Sequence, residues 1–250
     1  IELSENDCFL TLKGDCFRYV FNKKTGVFEK MQFDGLEILD HPMGINIWRA
    51  PADNDRTLKL KWMRAHYDRT VERAYQTTHE MTEDGIKIYC TSALCASSIQ
   101  NILKMDTIWT IQKDGKINIS MSVTKSEGFP ELPRFGIRLF LNRTFDTVTY
   151  SGIGPYESYI DKCHAGSHGK YTDHICDLHE DYIRPQENGS HCDCDYVVTK
   201  SKDYGFAATG KNTFSFNASV YTQEELTRKS HNYELEPCGS SVLCLDYAQN

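Results

Sequence analysis

The sequence predicts an all-β fold, an antiparallel β-sandwich with one or two short helices, on three observations. Apolar residues recur at every second position in many separate runs. Turn residues that end in glycine separate those runs. Helical spacing is confined to two short stretches. Successive side chains of a strand point to opposite faces, so a run of period two is a strand with one buried side. Many such strands at short spacing, joined by hairpin turns, build a sandwich.

Taken in order, Phe17, Tyr19 and Phe21 alternate with Arg18 and Val20. Ile86, Ile88 and Cys90 follow, and then Leu103, Met105, Thr107, Trp109 and Ile111 on one face. Ile117, Ile119, Met121 and Val123 alternate with Asn118, Ser120, Ser122 and Thr124. Ile137, Leu139 and Leu141 repeat the pattern, as do Phe214, Phe216, Ala218 and Val220. Asn22 to Gly26, Asp34-Gly35, Glu83 to Gly85 and Lys113 to Gly115 are the turns between them. Leu58, Trp62 and Ala65 fall at i, i+4 and i+7 and predict one short helix. Thr222-Gln223-Glu224-Glu225 has the form of a capping box and predicts the start of a second.

Length and composition bound the function. A chain of 250 residues buries a real core, and all-β folds of this size occur as single domains, so residues 1–250 are expected to form one sandwich domain. Lys and Arg number 28 against 35 Asp and Glu, for a net charge of −7 and no basic block. That balance builds no positive field for nucleic acid or an anionic membrane, and a neutral sugar fits at least as well. No apolar run approaches the ~18 residues of a transmembrane helix. The N-terminal Ile1 to Asp7 is acidic and has none of the features of a signal peptide. The ten cysteines are scattered and read as small core groups of a cytoplasmic protein.

Four segments concentrate polar chemistry. Trp48 to Arg56 sets Asp53, Asn54 and Asp55 between Arg49 and Arg56. Carboxylates accept and Arg and Asn donate, so this group suits sugar hydroxyls; the same residues equally shape a loop through Asx-turns and an Arg–carboxylate pair. Asp53 and Asp55 are not a glycosidase pair by spacing, since retaining enzymes hold two carboxyls roughly 5–5.5 Å apart across a cleft. Between Cys163 and Cys194 lie nine histidines and cysteines: Cys163, His164, His168, His174, Cys176, His179, His191, Cys192 and Cys194. No Cys-x-x-Cys pair occurs among them, so loop histidines in hydrogen bonds are expected before a zinc site. Gly152 to Tyr159 lacks the Gly-Lys-Ser/Thr of a phosphate loop, and Pro155 removes a backbone donor. Tyr156 and Tyr159 there are candidates for stacking on sugars or for packing. Tyr182 to His191 is dense in Arg, Gln, Glu, Asn and His, as a hydrogen-bonded loop or a polar ligand site would be.

In this order the segments resemble one family. Arg49-Ala50-Pro51-Ala52-Asp53-Asn54-Asp55, Gly152-Ile153-Gly154-Pro155-Tyr156-Glu157-Ser158-Tyr159-Ile160-Asp161 and Tyr182 to Gly189 are similar to three motifs of the large multidomain bacterial β-galactosidases. Phe214-Ser215-Phe216-Asn217 and Ser230-His231 resemble later markers. The resemblance implies a C-terminal, galactose mutarotase-like supersandwich cut from a longer enzyme. It implies that the nucleophile, the acid/base glutamate and the Mg and Na ligands lie in a preceding barrel, so that no catalytic residue and no cofactor belong to this chain. The implied partners are the rest of the polypeptide and, through it, a galactoside and other subunits of a homo-oligomer. Asp53, Asn54, Asp55 and Arg56 are the expected mouth-lining residues, with Arg56 and Thr57 where the family often has a glycine. The chain ends at Asn250, ahead of the family's tryptophan platform, and Trp48, Trp62 and Trp109 lie too early to supply it. Two other functions fit the same residues: a stand-alone carbohydrate-binding module, and a mutarotase-type enzyme drawing an acid and a base from His174, His179, Glu157 and Glu187.

Overall fold

The computed structural model describes residues 1–97 and 100–249, without the side chains of residues 248 and 249. Asn250, where the resemblance is cut short, lies outside the described residues. The fold is the expected all-β sandwich. Its strands are β1 (Glu2–Glu5), β2 (Phe9–Lys13), β3 (Phe17–Asn22), β4 (Val27–Phe33), β5 (Leu36–Glu37), β6 (Leu39–Asn46), β7 (Thr70–Thr82) and β8 (Gly85–Ala96). After these come β9 (Leu103–Gln112), β10 (Ile117–Lys125), β11 (Arg134–Leu141), β12 (Thr147–Gly154), β13 (Ser167–His174), β14 (Ser190–Lys200), β15 (Gly205–Ser219) and β16 (Ser241–Gln249). Two short helices interrupt them, α1 (Leu58–Arg64) and α2 (Gln223–Arg228). The chain divides into two compact units: Ile1–Gly44 with Trp62–Pro130, and Ile45–Lys61 with Glu131–Asn250.

In the first unit β1 to β5 form one antiparallel sheet in chain order, and β10, β9, β8 and β7 form a second. The alternation read from sequence turns Phe21 of β3 and Trp109 of β9 inward, and Phe28 of β4, which that reading did not single out, joins them. The rings meet edge-on, with centroids 5.9 and 5.3 Å from the tryptophan. Ile86, Ile88, Leu103, Met105 and Ile111 are buried beside them. Such edge-to-face pairs add roughly 0.5–1.5 kcal/mol each to the burial itself. The β10 run is a strand, but as the edge of its sheet it covers its apolar side only in part, and Ile119 is exposed.

In the second unit β13, β12, β14, β15, β16 and β11 lie side by side, all antiparallel. Strand β16 is the joint of this sheet: Phe216 to Ser219 pair with it on one side and Ile137 to Leu141 on the other. Helix α2 starts as its sequence predicts, with the Thr222 hydroxyl accepting from the Glu225 N–H at 3.1 Å. The return half of the box is absent. The Glu225 carboxylate instead accepts from the Glu236 N–H at 3.1 Å and pairs with Arg228, because two outside donors offer more than the one N–H of the cap.

Candidate functional site: a bonded loop cluster in the second unit

The three polar segments come together, and hydrogen bonds between them explain their composition. Asp55 is buried. It accepts from Arg49 Nη2 at 2.9 and 3.1 Å and from the Ala52 N–H at 2.9 Å, which folds Asp53–Asp55 into a single 3₁₀ turn. Of the four expected mouth residues, Asp55 is thus a structural anchor, while Asp53, Asn54 and Arg56 are exposed. The Asp53 N–H donates to Gln186 Oε1 at 3.0 Å, and the Glu187 N–H donates to the Ala50 carbonyl at 2.9 Å. These bonds hold the first motif against the third.

Glu157 joins the second motif to the third. Its carboxylate accepts from the Gly189 N–H at 2.9 Å, from the Tyr182 hydroxyl and from Lys162 Nζ. Burial alone would push this carboxyl up; the donors outweigh it and hold it below the usual range. Gly189 is required for this arrangement. Its φ is +69°, and a Cβ there would sit 2.4 Å from the Leu178 carbonyl. Asn188 completes the loop: its Oδ1 accepts from the Glu180 N–H at 3.0 Å, its Nδ2 donates to the Gln186 carbonyl, and its own carbonyl accepts from Asn217 Nδ2 at 2.6 Å.

Beneath the cluster lies a fully buried ionic triad. Arg134 on β11 donates through Nε and Nη2 to Asp246 on β16, at 3.2 and 2.6 Å. Its Nη1 reaches both oxygens of Glu187, at 3.2 and 3.3 Å. Burial alone would drive the proton off the guanidinium, but the two carboxylates hold it on, well above the ordinary value. Sequence inspection singled out Glu187 but neither Arg134 nor Asp246. Each is a charge at an inward-facing position of a largely apolar strand, where only a partnered charge survives.

His191 on β14 is buried between Tyr150 and Phe216, with ring centroids at 4.4 and 5.2 Å, and its Nδ1 donates to the Ile153 carbonyl at 3.2 Å. Burial holds its pKa below the ordinary histidine value. The other residues of the His/Cys stretch are dispersed. His168 faces Asp195, His179 bonds Asn232 at 3.0 Å, and Cys176 is exposed. Among the described residues no group of three His, Cys, Asp or Glu side chains could hold a metal. Glu187 and Asp246 converge, but both oxygens of each already accept from the Arg134 guanidinium, a cation standing where a metal would have to sit, so these residues do not fit a Mg or Na site. Burial pushes the thiols of Cys194 and Cys244 up to about 12, as suits core groups rather than nucleophiles. Trp48, Trp62 and Trp109 are all buried, and none offers a face to a sugar.

Against this geometry the likenesses are specific. Residues 13–250 match the family model described as β-galactosidase small chain. A β-galactosidase of Actinobacillus pleuropneumoniae is 39% identical over 98% of the chain, and one of Staphylococcus xylosus is 32% identical over 95%. In each case the match takes in 24% of the relative, so the chain spans about a quarter of the length of these curated relatives. A galactose mutarotase-like protein from Lactobacillus casei ATCC 334 superposes on 97% of the chain and 89% of its own, with a TM-score of 0.51 at 9% identity, a likeness of fold alone. The chain belongs to the β-galactosidase small-chain family and has a galactose mutarotase-like β-sandwich fold.

Proposed function

We propose that this region is the non-catalytic part of a β-galactosidase that cleaves terminal β-D-galactosides with retention in the cytoplasm. Its role is to brace the catalytic barrel and shape the substrate mouth. The observation that carries this reading is the state of the motif acids. Asp55 and Glu187 are buried, the Glu157 side chain is only 6% exposed, and each already accepts hydrogen bonds from a cationic side chain. A nucleophile or general acid must face its substrate, and these carboxylates face Arg49, Lys162 and Arg134 instead. The same bonds weigh against a mutarotase-type activity that would use Glu157 or Glu187 as its acid or base. Residues elsewhere in the polypeptide then supply the reacting glutamates and hold Mg and Na.

The exposed Asp53, Asn54 and Arg56, on a turn braced by the buried Asp55, are the part of the region offered to substrate. The isolated chain is expected to leave a chromogenic β-galactoside intact, and robust turnover would overturn the proposal. In the full polypeptide, the paired change Asp53→Ala and Arg56→Ala is expected to raise KM severalfold and leave kcat nearly unchanged, as loss of uniform binding does. Tight binding of galactose or lactose by the isolated chain in calorimetry would favour a stand-alone binding module instead.

A further inference from the structure

We propose that Tyr156, Ile160, Ile183 and Tyr233 form the centre of a docking surface covered by the remainder of the β-galactosidase polypeptide, through an apolar surface rimmed with lysine and arginine. The proposal rests on the reading that this region works as part of a longer enzyme. The four side chains are 64, 69, 88 and 82% exposed. They stand on three loops that hydrogen bonds hold together. Tyr182, beside Ile183, bonds Glu157 and Lys162, which flank Tyr156 and Ile160. The Ile183 carbonyl accepts from the Asn232 N–H at 3.3 Å, and Asn232 Nδ2 donates to Asp181 at 2.7 Å, which brings in Tyr233. Single exposed apolar residues are ordinary, but four on one braced set of loops mark an interface.

Three features select the occupant. Asp161, Glu180, Asp181 and Glu234 are exposed on the same loops against one exposed arginine, Arg184, while Lys162 is engaged by Glu157, so the rim is net acidic and matches a basic one. A specific interface takes roughly 800 Å² from each partner, with buried tyrosines among its strongest contributors. The relatives match this region with only 24% of their length, so three quarters of such a polypeptide is present at fixed stoichiometry to supply that area. A sugar fits less well. The nearest polar groups, Glu157, Tyr182 and Asn232, are bonded to one another or to the loops, and two of the four exposed side chains are aliphatic.

Hydroxyl-radical labelling of the full-length polypeptide, read by mass spectrometry against the same polypeptide unfolded in urea, tests this. Labelling of Tyr156, Ile160, Ile183 and Tyr233 is expected to fall roughly tenfold or more in the folded protein, as for the desolvated centre of an interface. The protection should be independent of dilution and of added galactose. Labelling as fast as in urea would overturn the proposal. So would protection that disappears on dilution, which would assign the surface to a second copy, or protection that needs galactose. Ile183→Asp should restore labelling at Tyr156 and Tyr233; unchanged protection would count against the surface. Turnover of a β-galactoside by the same sample is a separate readout. Its absence would sink the functional reading, whereas exposed loops in an active enzyme would sink only the docking surface.

Discussion

The first unit closes on rings, with Phe21, Phe28 and Trp109 edge to face, while the second closes around Arg134, Glu187 and Asp246. Among the described residues, the buried charged side chains Asp55, Arg134, Glu187, Glu225 and Asp246 all belong to the second unit. Both units bury an apolar core, and the second adds to it a force of a different kind. Apolar burial is non-directional and degrades in proportion to the volume removed. A buried charge network is directional and fails when one member leaves. The family motifs fall in the second unit, where shape must be fixed by bonds between loops.

The sharpest way to break this contrast is Arg134→Met. It strands two buried carboxylates and is expected to cost about 3–5 kcal/mol in urea denaturation of the chain. Adding Glu187→Leu and Asp246→Leu should recover most of that loss, because an apolar triad needs no partners. A loss below about 1 kcal/mol for the single change would put the second unit in the same class as the first.

A smaller effect is expected from His191. Its folded pKa lies below the ordinary histidine value of 6.5, so the native state binds fewer protons than the unfolded one between the two values. Stability is then full above pH 6.5 and declines as pH falls toward the folded pKa, by at most about 1.4 kcal/mol per pH unit. His191→Phe should remove that slope, read from urea midpoints taken across the window. Retention of the slope would assign it to another group.

In the first unit Ile88→Val removes one buried methylene and is expected to cost about 0.5–1.5 kcal/mol, with no dependence on pH. Least of all should come from Glu224→Ala in the second unit. It breaks the 2.8 Å pair with Arg138, but the glutamate is 48% exposed, and a shift within about 1 kcal/mol is expected by thermal melting. A larger loss there would extend the network to the surface.

How far each unit was legible in sequence follows from the same difference. Alternation located β3, β8 and β9 and aimed Phe21, Ile88 and Trp109 inward, because a one-sided apolar face is a local property of a strand. It overstated β10, whose apolar positions are spaced correctly but lie at a sheet edge. In the second unit the density of polar residues at Trp48 to Arg56 and at Tyr182 to His191 marked the loops correctly. What each polar group bonds was not readable. Glu157 meets Gly189 from 32 positions away, and Arg134 meets Asp246 from 112. Thr222 kept its cap, while Glu225 turned to Arg228 one helical turn on and to the Glu236 N–H, which the loop after the helix brings near.

The place of β16 in its sheet also sets an order of assembly during synthesis. The strand joining β15 to β11 is the last of the described strands to leave the ribosome, and it carries the aspartate that Arg134 needs. At about 5–20 residues per second, the 112 positions between them amount to roughly 6 to 22 s of translation. Until β16 emerges, β15 and β11 lack the strand that joins them, and Arg134 lacks Asp246. The first unit has no such wait, because every strand of its two sheets precedes β11 in the chain. A single polypeptide thus matures in two stages, and a chaperone attending the ribosome would find its client in the second.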